Sequence, residues 1–241
     1  LSDPQKLFDL FFGLLLNNGS NITDEYGEYT INTKASIEVV EYIKKLLKNS
    51  ASDGAGCVSR PPVAALPGLP GVAAEGEGAQ KFISGKAVMF MGGSNCMPQL
   101  SCSAIREKVS FNALPTGPAG GRQFTILRGN CYVIAKNTKS FSAARRLLQF
   151  FASYRNCAKQ FAMSSVFLPP QRKFYDETAA TKQCARYKNV PYIIRNGRWP
   201  HMIKNISEIM PVIVANVREA VFGEEEAPAA LELLEKTLQV S

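Results

Sequence analysis

The sequence predicts an α/β protein, and three features carry that prediction. Helical periodicity recurs along the chain: Leu7, Leu10, Phe11, Leu14 and Leu15 make one apolar face near the start, and Ala144, Leu147, Leu148 and Phe151 make another past the middle. Between such segments lie short runs of strand character, alternating in VSFNAL (109–114) and continuous in CYVIA (131–135). Glycine- and proline-rich turns separate the two kinds of segment, an interleaving that points to α/β architecture.

In chain order, Ser2 or Asp3 can cap a first helix, Pro4 suits its first turn, and Gly19 is a natural stop. An extended stretch at 28–32 leads to a second helix at 36–48, with Ile37, Val40, Ile43 and Leu47 as its buried stripe. From 50 to 80 the composition turns to Ala, Gly and Pro, which break both regular periods and predict a long loop. KFISGKAVMFMGG then reads as the end of a helix, a turn at Gly85 and a buried strand at 88–91. In the strand at 109–114, Val109, Phe111 and Ala113 share one face, and Pro115 ends it before the turn-rich TGPAGG. CYVIA is expected buried within a sheet. A helix follows Ser140, a shorter one spans about 156–164, and Pro169-Pro170 break the chain. Three more helices are predicted at 172–187, 202–222 and 227–239.

A chain of 241 residues, 46% hydrophobic and 20% charged, has room for one large domain or two small ones and can bury a real core. No apolar run reaches the roughly 18 residues a membrane span needs. The apolar opening has no basic n-region and is interrupted by Asp3 and Asp9, so it does not read as a signal peptide; an exported protein would then be met as a mature product or a fragment. Lys and Arg outnumber Asp and Glu by 28 to 20, a formal charge of +8. Such a surface attracts anionic partners non-specifically, but the basic residues are scattered and form no stripe with interleaved aromatics. The six cysteines, at 57, 96, 102, 131, 157 and 184, form no C-x-x-C, which leaves a zinc ribbon or a thioredoxin motif without support. They read as buried thiols, Cys131 in NCYVIA among them.

Catalytic signatures are absent from the sequence. There is no G-x-S-x-G elbow, and a Ser-His-Asp triad would have to use His201, the single histidine, beside Trp199 and Pro200. GPAGGR (117–122) lacks the Gly-Lys-Ser/Thr ending of a phosphate-cradling loop and reads as a turn. Glu224–Glu226 open a helix, where negative charge complements the dipole.

The order of segments says more than any one of them. FISGKAVMFMGGSN, VSFNALPTGPAGG, RGNCYVIAKNTKSFSAARRLLQFFAS and VFLPPQRKFYDE resemble, in order and spacing, the family 1 extracellular solute-binding proteins, relatives of maltose-binding protein. The matching residues are Phe82, Gly85, Lys86, Met89, Gly93 and Ser94, then Leu114 and Pro115, then Gly129, Ile134, Lys136, Ala143 and Ala144. The opening FFGLLLNNGS…GEYTIN…SIEVVEYIKKL and the tail, from Trp199-Pro200 to EEAPAALELLEKTL, are similar as well. Two positions depart from the family pattern: Asn95 stands where a Trp is frequent, and Arg128 where a Gly-Gly pair begins.

The resemblance implies a type II periplasmic-binding-protein-like fold of two lobes joined by hinge strands, without the first part of one lobe. Residues 1–110 would form the larger lobe, 111–166 a segment of the other, and 167–241 the return to the first. One hinge would be the strand at 109–115, with a second crossing near 165–170. Function would be capture of a small polar solute, a mono- or oligosaccharide, in an interlobe cleft and its delivery to the membrane subunits of an ABC transporter. The resemblance implies neither enzymatic activity nor a cofactor or metal. It implies a monomer with no nucleic-acid partner, located in the periplasm or outside the cell, with lipid anchoring of the full-length protein as a further expectation. Solute contacts are expected from Gly93, Ser94 and Asn95 at one strand end and from Arg128, Gly129 and Asn130 at the next, with Trp199 as a stacking surface. Three alternatives stay open: a basic interaction module for nucleic acid or another anionic partner, an enzyme, and a fragment that binds nothing.

Overall fold

Pro4 begins helix α1 (Pro4–Asn17), which is apolar on nearly every side. Phe8, Phe11 and Leu15 are fully buried, Leu7, Leu10, Phe12 and Leu14 almost so, and the Phe8 and Phe12 rings stack at 5.5 Å. A helix apolar all round must be enclosed. The enclosing surfaces come from α2 (Lys34–Ser50) and from a helix far along the sequence, described below as α8 (Ile206–Phe222), with α9 (Ala227–Val240) joining the same apolar cluster by packing on α8 and α2.

The end of α1 is closed by a Schellman arrangement. Gly19, at φ 79°, sits in the left-handed region, its N–H donates to the Leu16 carbonyl, and the Ser20 N–H donates to that of Leu15. The chain then folds back on itself. Thr23 and Tyr29 pair in an antiparallel bridge, Asp24 Oδ1 accepts the N–H groups of Tyr26 and Glu28, and Gly27 turns at φ 90°. Ile22 and Ile31 pin this turn to the core, and Glu235 of α9 accepts the Asn32 N–H at 2.8 Å. Thr33 caps α2 by accepting the Ser36 N–H. Val39, Val40, Ile43 and Leu46 are buried and Ile37 half-buried, so the stripe runs close to the predicted one; the Leu47 side chain lies outside the described residues.

The computed structural model describes residues 4–50, 75–118, 123–129, 131–157, 168–169, 171–177, 188–199, 205–223 and 225–240. It divides into two units, one made of Leu1–Gly92, Asn112–Leu127 and Ile193–Ser241, the other of Gly93–Phe111 and Arg128–Tyr192. The chain therefore passes between units four times, at 92/93, 111/112, 127/128 and 192/193. One passage falls inside the predicted hinge at 109–115; the other three lie away from the boundaries read from the sequence.

In the first unit, α3 (Glu75–Ile83) begins inside the stretch expected to be loop, and 51–74 lie outside the described residues. In α8, Ile209, Ile213, Val217 and Ala220 face the core around an interior Pro211, and Gly223 stops the helix by donating to the Glu219 carbonyl. In α9, Ala227, Leu231, Leu234 and Leu238 complete the apolar cluster, with Glu225 and Glu226 just before its first turn.

The second unit is built from smaller pieces. Two short 3₁₀ turns, Ser94–Cys96 and Arg106–Lys108, flank α4 (Met97–Ser101). Then come α5 (Phe141–Ala152), helical turns at 154–157 and α6 (Arg172–Glu177); α7 (Val190–Arg195), not predicted from the sequence, runs across the last passage. Tyr175 is buried, packs edge-on against Phe174 and donates its hydroxyl to the Pro169 carbonyl at 2.6 Å.

Three strand expectations are corrected. Residues 88–91, 109–114 and 131–135 form no strand, and among the described residues the sheet consists of β1 (Thr125–Ile126) and β2 (Gly197–Arg198). The physical reason is that a strand needs a partner: apolar composition supplies propensity, but the ladder is made by a neighbour. Val88, Met89, Tyr132 and Val133 stand exposed, and Cys131, expected in the core, is exposed too. The stretch 109–113 keeps its alternation, Val109 being buried and Phe111 and Ala113 half-buried, without forming a strand. Helix α5 forms as predicted, yet none of its residues is fully buried. The four described cysteines are free; Cys96 and Cys157 are buried as expected, Cys102 and Cys131 are not. Residues 158–164, 178–187 and 202–204 of the predicted helices lie outside the described residues.

Two outcomes test this architecture. Phe11→Ala should lower the stability of the first unit by about 3–5 kcal/mol, a large part of the roughly 5–15 kcal/mol a domain has, measured by urea denaturation. At Tyr175, burial pushes the phenol above its ordinary range. An unfolded phenol ionises near pH ~10, so the stability this group contributes is intact below that pH and is lost as pH rises beyond it. Tyr175→Phe should cost about 1 kcal/mol at neutral pH and flatten the alkaline loss, as read from melting temperatures between about pH 8 and 11.

Candidate functional site

Asn17, the last residue of α1, is fully buried, and its amide holds the 112–127 segment. Its Nδ2 donates toward the carbonyls of Leu114 and Pro115 at 3.2 Å and of Phe124 at 3.1 Å, while its Oδ1 accepts the Phe124 N–H at 2.6 Å. The Asn17 carbonyl accepts the Gly117 N–H at 3.0 Å. One residue thus ties both arms of the 112–127 segment to the end of α1.

From Phe124 the chain enters β1, which pairs in parallel with β2 in the register Thr125↔Gly197 and Ile126↔Arg198. The Leu127 N–H donates to the Arg198 carbonyl at 2.8 Å. A side chain at Gly197 would collide with Leu127, so the pairing is close because β2 begins with glycine. The Arg198 guanidinium lies over the Phe124 ring, 4.4 Å from its centroid. Trp199 follows β2 directly and is 40% exposed, enough to offer an aromatic face to solvent.

The remaining predicted residues belong to the second unit. Gly93 is its first residue, extended and exposed, and its carbonyl accepts the Cys96 N–H at 3.2 Å, which starts the 3₁₀ turn of Ser94–Cys96. Ser94 is half-buried and Asn95 exposed. Arg128 resumes the second unit two residues beyond β1; it is half-buried and Gly129 is exposed, while Asn130 lies outside the described residues. Gly93–Asn95 and Arg128–Gly129 therefore open two stretches of one unit, each just past a passage, and Trp199 belongs to the other. Three residues of this region escaped the sequence reading: Asn17, Phe124 and Arg198. The one hint was the Asn17-Asn18-Gly19 run, which read only as a helix stop.

A shallow depression elsewhere in the first unit is lined by Asn18, Ser20, Thr33, Lys34, Glu38 and Pro118. The Asn18 amide there already donates to the Ala35 carbonyl and the Glu38 carboxylate, and none of the predicted solute contacts lines it. Among the described residues there is no group of three side chains able to hold a metal ion, and no helix is long and apolar enough to cross a membrane.

Residues 2–191 match the family described as bacterial extracellular solute-binding protein. The chain belongs to that family. The solute-binding proteins of known structure that it resembles share its fold, of the type II periplasmic-binding-protein kind. T. maritima MalE3, solved with bound maltose, superposes with a TM-score of 0.76 at 20% identity, over 95% of this chain and 56% of its own. The sugar-binding protein MalE of Xanthomonas citri gives 0.70 at 13% identity, over 99% and 56%. A sugar transporter protein of Arthrobacter chlorophenolicus A6, solved with laminaribiose, gives 0.71 at 15%, over 97% and 57%. The chain thus spans little more than half the length of these solute-binding proteins. No curated protein matches it significantly.

Proposed function

We propose that this chain captures a small polar solute, a mono- or oligosaccharide, and serves as the receptor part of an ABC importer outside the cytoplasmic membrane. The observation that carries the reading is the family match over residues 2–191, joined to structural likeness to proteins solved with bound maltose or laminaribiose. The polar chemistry of the chain suits it. Solute would meet the exposed backbone at Gly93, the Ser94 hydroxyl and the Asn95 amide, with Arg128, Gly129 and Asn130 contributing from the following stretch. Arg128 can reach several hydroxyls or a carboxylate with its planar fork of donors. Trp199 supplies the flat apolar face against which a sugar ring stacks.

In this reading solute binding shifts an open-to-closed equilibrium toward the closed state. The protein acts as a monomer in the periplasm or outside the cell, the full-length form being held to the membrane by a lipid, and passes its solute to the transporter's membrane subunits. It performs no turnover and requires no cofactor.

Because Trp199 is the single tryptophan, its emission reports on the site directly. Titration with maltose, maltotriose, laminaribiose and tagatose should change that emission for at least one sugar and raise the melting temperature. Saturation at 100 times Kd corresponds to about 2.7 kcal/mol of added stability. Trp199→Ala should weaken binding about tenfold, read by thermal shift, since stacking is worth roughly 0.5–1.5 kcal/mol beyond area. Absence of any response to sugars in both this chain and a full-length parent, with a salt-sensitive shift on DNA or RNA instead, would overturn the reading in favour of a basic interaction module.

A further inference from the structure

We infer that Asn17 is a positioning residue for the Trp199 edge of the site, acting through the 112–127 segment rather than by touching solute. An amide with no exposed surface must satisfy its donors and acceptor within the protein, and Asn17 does so entirely on backbone atoms of one distant segment. Leu114 and Pro115 are held on one arm, Phe124 on the other, and Gly117 between them by the Asn17 carbonyl.

Phe124 is held at both its N–H and its C=O, which fixes the direction in which the chain enters β1. The register of β1 sets that of β2, and the Phe124 ring carries the Arg198 guanidinium. Two linked contacts therefore run from Asn17 to the residue preceding Trp199. A two-residue parallel pair is too short to hold itself in place, so its position depends on what anchors its ends. No side chain other than Asn or Gln offers a neutral donor pair and an acceptor on one planar group, and Gln is a methylene longer.

The inference rests on the solute-receptor reading only for its effect on affinity; its effect on Trp199 is measurable without solute. In Asn17→Ala, exchange of the Phe124 and Gly117 amides should accelerate about tenfold or more, the scale of a lost buried hydrogen bond. The most protected amides of α1, α8 and α9 should remain slow. Trp199 emission in the folded, solute-free variant should shift to the red, and its acrylamide quenching should increase. Asn17→Asp should show the same changes at neutral pH, where a carboxylate faces three carbonyls. It should recover toward wild type on acidification, where the protonated carboxyl donates again.

If Asn17→Ala fails to fold, Gly117→Ala carries the test. A Cβ at Gly117 would stand against the Asn18 amide and lift the segment while leaving Asn17 untouched, and the same Trp199 changes are expected. Faster amide exchange with unaltered Trp199 emission and quenching would overturn the inference and leave Asn17 a stabilising residue only. A wild-type chain that binds none of the sugars, yet shows the Trp199 changes in the variants, would sink the receptor reading and leave this inference standing.

Discussion

The structure of the first unit depends on the enclosure of α1. Seven of its residues between Leu7 and Leu15 are buried to within a few per cent, and an element so apolar finds no stable position at a surface. Its neighbours must come from wherever the chain can supply them, and Ile206–Phe222, packed against it, lies some 200 residues downstream, with Ala227–Val240 joining the same apolar cluster. This closure is non-local and costs chain entropy, offset by the area removed from water. The Asn17 side chain, buried at the end of α1, then has to be satisfied by whatever chain passes it. That requirement brings the 112–127 segment to Asn17 and so determines where the candidate site begins.

What could be read in the sequence divides along the same line. Helices α1, α2, α5, α8 and α9 were legible because a helix is specified by residues three and four apart and by its own caps: Pro4 at the start of α1, Gly19 after it, Gly223 after α8. The strands were not legible in the same sense. CYVIA has the composition of a buried strand, but whether Tyr132 and Val133 are covered depends on a neighbour that the local sequence does not encode, and here both are exposed. Conversely, β1 and β2 are two residues each and give no periodic signal at all; they exist because Phe124 is anchored and Gly197 allows a close approach.

The same distinction governs the candidate site. Gly93, Ser94, Arg128, Gly129 and Trp199 could be singled out because they stand in recognisable segments, and each described member lies next to a passage or a strand end. Asn17 could not, since its partners are 97 to 107 residues away and an asparagine before a glycine is an ordinary helix terminus. Arg198 was passed over as one more member of a scattered basic surface, although its position over Phe124 gives it a defined role. Long-range polar pairings are the part of a structure least visible in a single sequence, because nothing local distinguishes a satisfied asparagine from a solvated one.

At 20% identity to MalE3, four positions in five differ, yet the backbones superpose with a TM-score of 0.76. Such tolerance is expected where the fold is specified by an apolar pattern, since cores accept exchange among residues of similar volume as long as the pattern persists. The positions that depart from the family pattern belong to a different category. Asn95 is exposed and Arg128 half-buried, and neither belongs to the apolar cluster, so exchanging the family's Trp and Gly there leaves that cluster untouched. In the proposed reading, loss of an aromatic ring at 95 and gain of a cation at 128 would change what a solute meets: less stacking surface, more hydrogen-bond donors and a positive charge. The physical constraints on the two sets of residues are separate, so the helices around α1 can keep one architecture while polar positions near the passages vary.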